Sequence, residues 1–262
     1  MLQTKAKGYV DPEFLRVIGN QLNHIKQRSY ALMQIQAGHK VLDLGCGPGT
    51  DTIPLAPFVG VNGQVIGADH DEAMIFEAVQ YAEQAGVNRW VRHERVDAMS
   101  LPFETDYFDS CRSERLFQHL SNPAQALSEM TRVTKSGGWV VVLDTDWGSL
   151  STDSDETDIE RRLVRFLAES FVHNGYSGRK LYRLFKQQNL ADITFEVFPV
   201  ATSNYALARQ ATRAERNEQE ALMAGAITSE EIHRWQADLE HADLEGNFFC
   251  SVNVVMLAGR KN

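Results

Sequence analysis

The sequence predicts an α/β fold: a doubly wound, mostly parallel sheet covered by helices on both faces. Three observations lead there. Short apolar runs alternate with capped helical segments from about residue 38 to residue 145, as in sheets whose crossovers are helices. The first run, Val41-Leu42-Asp43-Leu44, ends in Gly45-Cys46-Gly47-Pro48-Gly49, and a helix-like segment follows. After Asp144 the chain changes character and places about 40 mostly helical residues between its last two strands, more than an ordinary connection needs. With 262 residues, 43% of them hydrophobic, the chain can bury one large α/β domain with a cap.

Each element has a local reason. Asp11-Pro12 pairs an N-cap residue with proline at the first helical position, and Phe14, Leu15, Ile18, Leu22 and Ile25 recur at helical spacing. Residues 12–36 are therefore expected to form one or two amphipathic helices, ended by Gly38. Residues 40–44 read as a buried strand and 50–59 as a helix with Pro54 in its first turn. A second strand over 64–68, a helix over 71–85 stopped by Gly86, and strands over 90–96 and 107–112 follow. Asn122-Pro123 repeats the cap-and-proline signal for a helix through Val133, and Gly137-Gly138 turns the chain into a fifth strand, 139–143. Residues 149–158 are polar and acidic, a loop or a helix lead-in. Helices over 159–173 and 178–188 precede a sixth strand, 192–200. The stretch 204–241 is helical, broken near Gly225 and restarted by Thr228-Ser229-Glu230-Glu231. Residues 248–257 make the last strand.

Composition narrows the function. Lys and Arg number 26 against 35 Asp and Glu, a formal charge of −9, which suits a phosphate backbone poorly and argues against a nucleic-acid substrate. No apolar run is long enough for a membrane span, and the first ten residues lack the apolar core of a signal peptide. Cys46, Cys111 and Cys250 are scattered and form no C-x-x-C pair, so they read as reduced thiols of a cytoplasmic protein. Asp144-x-Asp146 has no partnering metal-ligand motif, and no metal is expected.

The glycine turn carries the most chemistry. A strand ending this way brings bare N–H groups to a ligand with no Cβ in the way. A dinucleotide fingerprint reads G-x-G-x-x-G, but here the third glycine comes one residue early and an acid, Asp43, sits two before the first. This variant resembles motif I of the class I S-adenosylmethionine (SAM)-dependent methyltransferases, where the acid region faces the methionine amino group. Asp69 ends the second strand, where doubly wound folds place an acid on ribose hydroxyls; a helix cap is the plainer alternative. His70 and Met74 are neighbours suited to the adenosine, although Met74 equally suits a core. Val96 to Phe103 resembles the segment that holds adenine in these enzymes, with Asp97 accepting from the exocyclic amine, the Ala98 N–H on a ring nitrogen and Met99 adjoining. A turn-stabilising Asp97 is the alternative. Leu120 to Val133 with Gly137-Gly138 resembles the family's helix-and-turn signature.

The chain is thus identified with the class I SAM-dependent methyltransferases, in the branch that modifies small molecules. That resemblance implies a Rossmann-like seven-stranded sheet of order 3-2-1-4-5-7-6, its last strand antiparallel. With the helical patterning read above, the expected organisation is an N-terminal helical cap over 1–37 and a SAM-binding domain over 38–262, with a helical insertion over 203–246 between the last two strands. Asp43, Gly45, Cys46, Gly47, Gly49, Asp69, His70, Met74, Asp97, Ala98, Met99 and Arg112 are the cofactor-side candidates, and S-adenosylhomocysteine (SAH) is the implied product.

One departure stands out. Position 112, apolar in the family, is Arg112 at the ligand edge of the fourth strand. Arg112, Glu114 and Arg115 either line a substrate pocket or form an internal ion pair. Asp144, Asp146 and Trp147 end the fifth strand at that edge, and Tyr9, Tyr30 and Trp147 could stack on an acceptor. An acidic pocket of Glu114, Asp144 and Asp146 would favour a cationic amine and N- over O-methylation; inward arginines would favour a carboxylate. His119 is the candidate base, with backbone bonding as its alternative. His24, His39, His93, His173, His233 and His241 show no ligand spacing and are expected at the surface. Competing readings are a SAM-binding regulator without turnover and an NAD-dependent oxidoreductase, which fits Asp69 but not the glycine spacing. The cap helices could close over the site or build a homodimer.

Overall fold

The computed structural model describes residues 22–262, so Tyr9 and the first half of the predicted N-terminal helix lie outside the described residues. The elements run α1 (Asn23–Leu32), β1 (Lys40–Leu44), α2 (Thr52–Val59), β2 (Gln64–Asp69), α3 (Glu72–Gln84), β3 (Val91–Arg95) and β4 (Phe108–Glu114). A 3-10 turn (Phe117–His119) leads to α4 (Pro123–Val133), β5 (Thr134–Thr152) and α5 (Thr157–Phe166), which continues as a π-helical turn, Leu167–Phe171. Then come α6 (Ser177–Gln187), β6 (Ala191–Thr202), α7 (Tyr205–Thr212), α8 (Ala214–Met223), α9 (Ser229–Leu244) and β7 (Cys250–Arg260).

The seven strands form one sheet in the order β3-β2-β1-β4-β5-β7-β6, as the resemblance implied. β1 pairs in parallel with β2 and β4, β2 with β3, and β4 with β5. β7 runs the other way. The Gly137 N–H donates to the Lys261 carbonyl (2.8 Å) and the Lys261 N–H to that of Gly138 (2.9 Å), so the start of β5 meets the end of β7. The central strands read as apolar runs because both faces are covered: Val41, Leu42, Val65, Ile66, Val140, Val141 and Val142 are all buried.

The chain divides into two compact units. The larger takes in the described residues through Leu143 together with Tyr182–Phe195 and Met256–Asn262; the smaller comprises Asp144–Leu181 and Glu196–Val255. The smaller unit therefore includes more than the 203–246 insertion. Its core gathers Ile159, Leu163, Ala221, Ile227, Trp235, Leu239 and Phe248. Among the described residues no helix is long and apolar enough to cross a membrane.

One element departs from the sequence reading. β5 starts at Thr134, directly after α4, and runs to Thr152 rather than over 139–143. Gly137-Gly138 is a distortion inside the strand instead of a turn before it. The β4–β5 register shifts between Phe108 and Ser110, Gly137 sits at φ 80°, and a Cβ on Gly138 would lie 2.5 Å from the Asp109 carbonyl oxygen. Helix starts follow their chemistry more closely. The Asn122 carboxamide accepts the Gln125 N–H, and Asp71 accepts from Ala73 and Met74. Thr228 and Glu231 form the reciprocal box that the sequence predicts: Thr228 Oγ1 accepts the Glu231 N–H (3.2 Å), and Glu231 Oε2 accepts the Thr228 N–H (2.8 Å). Thr228→Ala is expected to cost about 1 kcal/mol, read as a lower urea midpoint at unchanged slope; an unmoved midpoint would remove the box from the energetics.

Candidate functional site

The turn after β1 is built by three glycines in the left-handed region, with φ 77° at Gly45, 51° at Gly47 and 79° at Gly49. A Cβ on Gly45 would stand 2.9 Å from that of Leu116. The Gly45 and Cys46 N–H groups donate to the Ala68 carbonyl (2.7 and 3.1 Å), which binds the turn to the end of β2. Asp69 completes that tie. Its Oδ2 accepts the Gly47 N–H (2.9 Å) and its Oδ1 the Asp71 N–H (3.0 Å). Each carboxylate oxygen keeps accepting capacity beyond these bonds. His70 is largely exposed, its Nδ1 3.3 Å from Asp69 Oδ1, while Met74 is buried. Asp97 is exposed; its Oδ1 accepts the Met99 N–H (2.9 Å) and its carbonyl the Ser100 N–H (3.0 Å), which makes it a turn-forming residue. Ala98 is buried and Met99 half-buried beside it.

His93 is not the surface residue expected. Its Nε2 lies 2.8 Å from Thr52 Oγ1, beneath the turn, and burial pulls its pKa down to about 4. Gly67 makes the room: a Cβ there would meet His93, Thr52 and Cys46 at 2.6, 2.8 and 2.9 Å.

Beside the turn lies a buried charge cluster. Arg112 is fully buried; it donates to Asp43 Oδ1 (3.0 Å) and Ser29 Oγ (2.9 Å), pairs with Asp51 (3.1 Å) and bonds Glu114. Lys26, also buried, reaches Asp51 at 2.5 Å and Glu114 at 3.4 Å. The Tyr30 hydroxyl donates to Asp51 (2.5 Å), and the Tyr30 ring lies 5.1 Å from the Arg112 guanidinium. Burial pushes the Asp43 carboxyl up to about 7 against the pull of Arg112. Burial acts on Asp51 in the same direction, but Arg112 and Lys26 outweigh it and hold that carboxyl well below the usual range. Of the two alternatives for Arg112 and Glu114, the internal ion pair is what forms. Arg115, at φ 52°, stands 3.3 Å from Glu114. Tyr30 is corrected as well: at 2% exposure, with its hydroxyl engaged, its ring packs inside the protein and does not present a face to an acceptor.

Sequence reading missed Lys26, Ser29 and Asp51. The available signal was spacing: Lys26, Ser29 and Tyr30 fall at i, i+3 and i+4, beside the apolar Leu22 and Ile25. Asp43 and Arg112 are register partners on neighbouring strands, which is why they meet.

In the smaller unit, Asp144 is buried and accepts from the Thr145 N–H (2.7 Å) and the Ser177 hydroxyl (3.1 Å). Arg179 pairs with both oxygens of Asp146 (2.9 and 2.8 Å), and Trp147 packs on the cluster of Leu150, Val164 and Leu167. Asp146 and Glu114 are thus matched by protein cations, and the acidic surplus that favoured an amine acceptor is absent from them. His119 closes the 3-10 turn, exposed, its N–H on the Leu116 carbonyl (2.8 Å). No cluster suited to a metal occurs among the described residues.

Comparison with known proteins decides the family. A model described as a methyltransferase domain matches residues 35–238. The chain belongs to that methyltransferase family. The match bears out the class I SAM-dependent resemblance and sets the oxidoreductase reading aside. A 37.1 kDa protein in transposon TN4556 of Streptomyces fradiae is 34% identical to this methyltransferase over 238 residues, 89% of this chain and 67% of its own. The demethylmenaquinone methyltransferase of Bacillus pumilus is 36% identical over 66% of this chain and 80% of its own. Among solved structures, geranyl diphosphate C-methyltransferase from Streptomyces coelicolor A3(2) shares the fold at a TM-score of 0.60 and 17% identity, covering 96% of this chain and 86% of its own.

Two tests follow from this methyltransferase's buried groups. Arg112→Met leaves Asp43, Asp51 and Glu114 facing only Lys26 and Arg115 and should cost about 3–5 kcal/mol in urea unfolding. Without the pull of Arg112, burial drives the Asp43 carboxyl above the value of about 7 that it has beside the guanidinium, so the deficit should shrink between about pH 8 and about pH 5; an equal deficit at both would refute the cluster. For His93, the unfolded chain binds the extra proton between its ordinary 6.5 and about 4, so stability is lost as pH falls through that window. The loss is on the order of 3 kcal/mol, and His93→Gln should flatten the melting temperature there.

Proposed function

We propose that this methyltransferase uses SAM as donor and a small molecule as acceptor, releasing SAH. The observation that carries the reading is the bond from the Gly47 N–H to Asp69, which sets a glycine-rich turn and an acid side by side at the carboxyl ends of β1 and β2. The cradle fits a nucleoside ligand: all three glycines hold backbone conformations that L side chains rarely adopt, and Asp69 retains lone pairs for ribose hydroxyls. In this reading Gly45, Cys46, Gly47 and Gly49 line the cofactor, Asp69 holds its sugar with His70 and Met74 adjoining, and Asp97 to Met99 hold its base. Asp43, buried and bonded to Arg112, acts through that ion pair instead of facing the amino group.

When bound, SAM supplies an electrophilic methyl on a sulfonium sulfur. The chain's own part is alignment and exclusion of water, which need no dedicated triad. A base is required only for an acceptor that arrives protonated, and His119 is the residue proposed for it. The names of the Bacillus pumilus and Streptomyces coelicolor proteins, a demethylmenaquinone and a geranyl diphosphate methyltransferase, support a small-molecule acceptor. N- and O-acceptors both fit.

SAH should raise the melting temperature and NADH should not. Gly47→Val should abolish SAH binding, because a β-branched residue at φ 51° is strained. Asp69→Ala should weaken it by about 1–3 kcal/mol. Unchanged affinity in both variants would overturn the reading. Mass spectrometry of SAM with a metabolite pool should then yield a product heavier by one methylene; binding without any such product would leave a regulator instead.

A further inference from the structure

We infer that the smaller unit carries a second small-molecule site, an apolar cavity that takes a neutral one-ring compound with a single hydrogen-bond donor, held by Asn217. The half-open cavity measures about 550 Å³ including the part that opens to solvent. α5, α7, α8 and α9 wall it together with β5 and β7, and Leu163, Ala208, Trp235, Leu239 and Phe248 make it mainly apolar. Apolar walls of this kind favour an apolar ligand over water.

The charged groups in the wall already have protein partners. Arg209 pairs with both oxygens of Glu218 (2.9 and 3.1 Å), and Glu218 also accepts from Trp235 Nε1 (3.3 Å) and Gln236 Nε2 (2.7 Å). Glu160 bonds Arg161 and accepts the Thr152 N–H. The Cys250 thiol is pushed up to about 11 by burial and stays neutral at ordinary pH. An ionic ligand therefore finds no uncompensated counter-charge.

One polar atom is left over. Asn217 is 6% exposed, and its Nδ2 donates to the Leu163 carbonyl (3.5 Å), but its Oδ1 has no partner. A buried carbonyl in that state costs free energy until a donor reaches it. A second feature marks the same wall. α5 loosens into its π-turn at Leu167, which lines the cavity, and the Val172 N–H bonds the Leu167 carbonyl five residues back (2.9 Å). Such turns are rare and are found frequently at functional sites. A hydroxyl or N–H on an otherwise apolar ring satisfies both the walls and Asn217.

Phenol and toluene share a ring and nearly a size, and differ by one donor. Each would be titrated into the full-length protein with no SAM present, so the outcome is independent of the proposed cofactor, and followed by NMR. Phenol is expected to bind about tenfold more tightly than toluene, with shifts centred on Leu163, Ala208 and Leu239. Asn217→Leu, close in volume, should bring phenol down to the affinity of toluene. The wild-type comparison decides even where that variant fails to fold. Absence of binding by both compounds, equal wild-type affinities, or shifts centred elsewhere would overturn the site.

Discussion

A guanidinium with no access to water has to find its counter-charges inside the protein, and Arg112 imposes that requirement on everything around it. It stands in a row that crosses the sheet at one level: His93 on β3, Gly67 on β2, Asp43 on β1 and Arg112 on β4 are successive register partners. Side chains in such a row share a face of the sheet. An isolated buried cation would cost far more than the fold can supply, so the cluster must be complete to be tolerated. Asp43 comes from the adjoining strand, Glu114 from two residues further along β4, Asp51 from the lead-in to α2, and Ser29 from α1. Lys26 and Tyr30 then hold Asp51 from the same helix. The docking of α1 is therefore an electrostatic as well as an apolar matter.

The other end of the row is settled by size instead of charge. Gly67 leaves the space that the His93 ring, Thr52 and Cys46 fill, and this packing underlies the glycine turn. Asp69 then bonds the turn at Gly47. The turn is held from below by sterics and from the side by a carboxylate. Its N–H groups are all engaged within the protein, Gly45 and Cys46 on the Ala68 carbonyl, Gly47 on Asp69 and Gly49 on the Cys46 carbonyl. Its shape, and not a set of bare donors, is therefore fixed before any ligand arrives. Preorganisation of this sort is what a methyl transfer asks of a protein, because the reactive group comes with the cofactor.

Much of the fold was legible because its signals are local. Caps at Asn122 and Thr228 and the apolar runs of β1 and β2 each need only a few neighbouring residues to be read, whereas Asp71, the first helical residue in the sequence reading, proves to be the cap of its helix. The strand order came from resemblance, and β5 was misjudged because two adjacent glycines look alike whether they turn a chain or distort a strand. The candidate site divides the same way. Glycines 45, 47 and 49 with Asp69 announce themselves in sequence, whereas the partners of Arg112 do not: Ser29 lies 83 residues away. An arginine at the ligand edge reads equally well as a substrate contact until the strands are laid side by side.

The sulfhydryls offer a consequence of a different kind. Cys46, Cys111 and Cys250 are all buried and unpaired, and burial raises the pKa of each, so little thiolate forms near neutrality. An alkylating reagent must therefore wait for the surrounding structure to open. Two of these sulfurs sit in the larger unit and one in the smaller. The rate at which each becomes labelled turns the native chain, without any engineered probe, into a two-channel recorder of its own local unfolding.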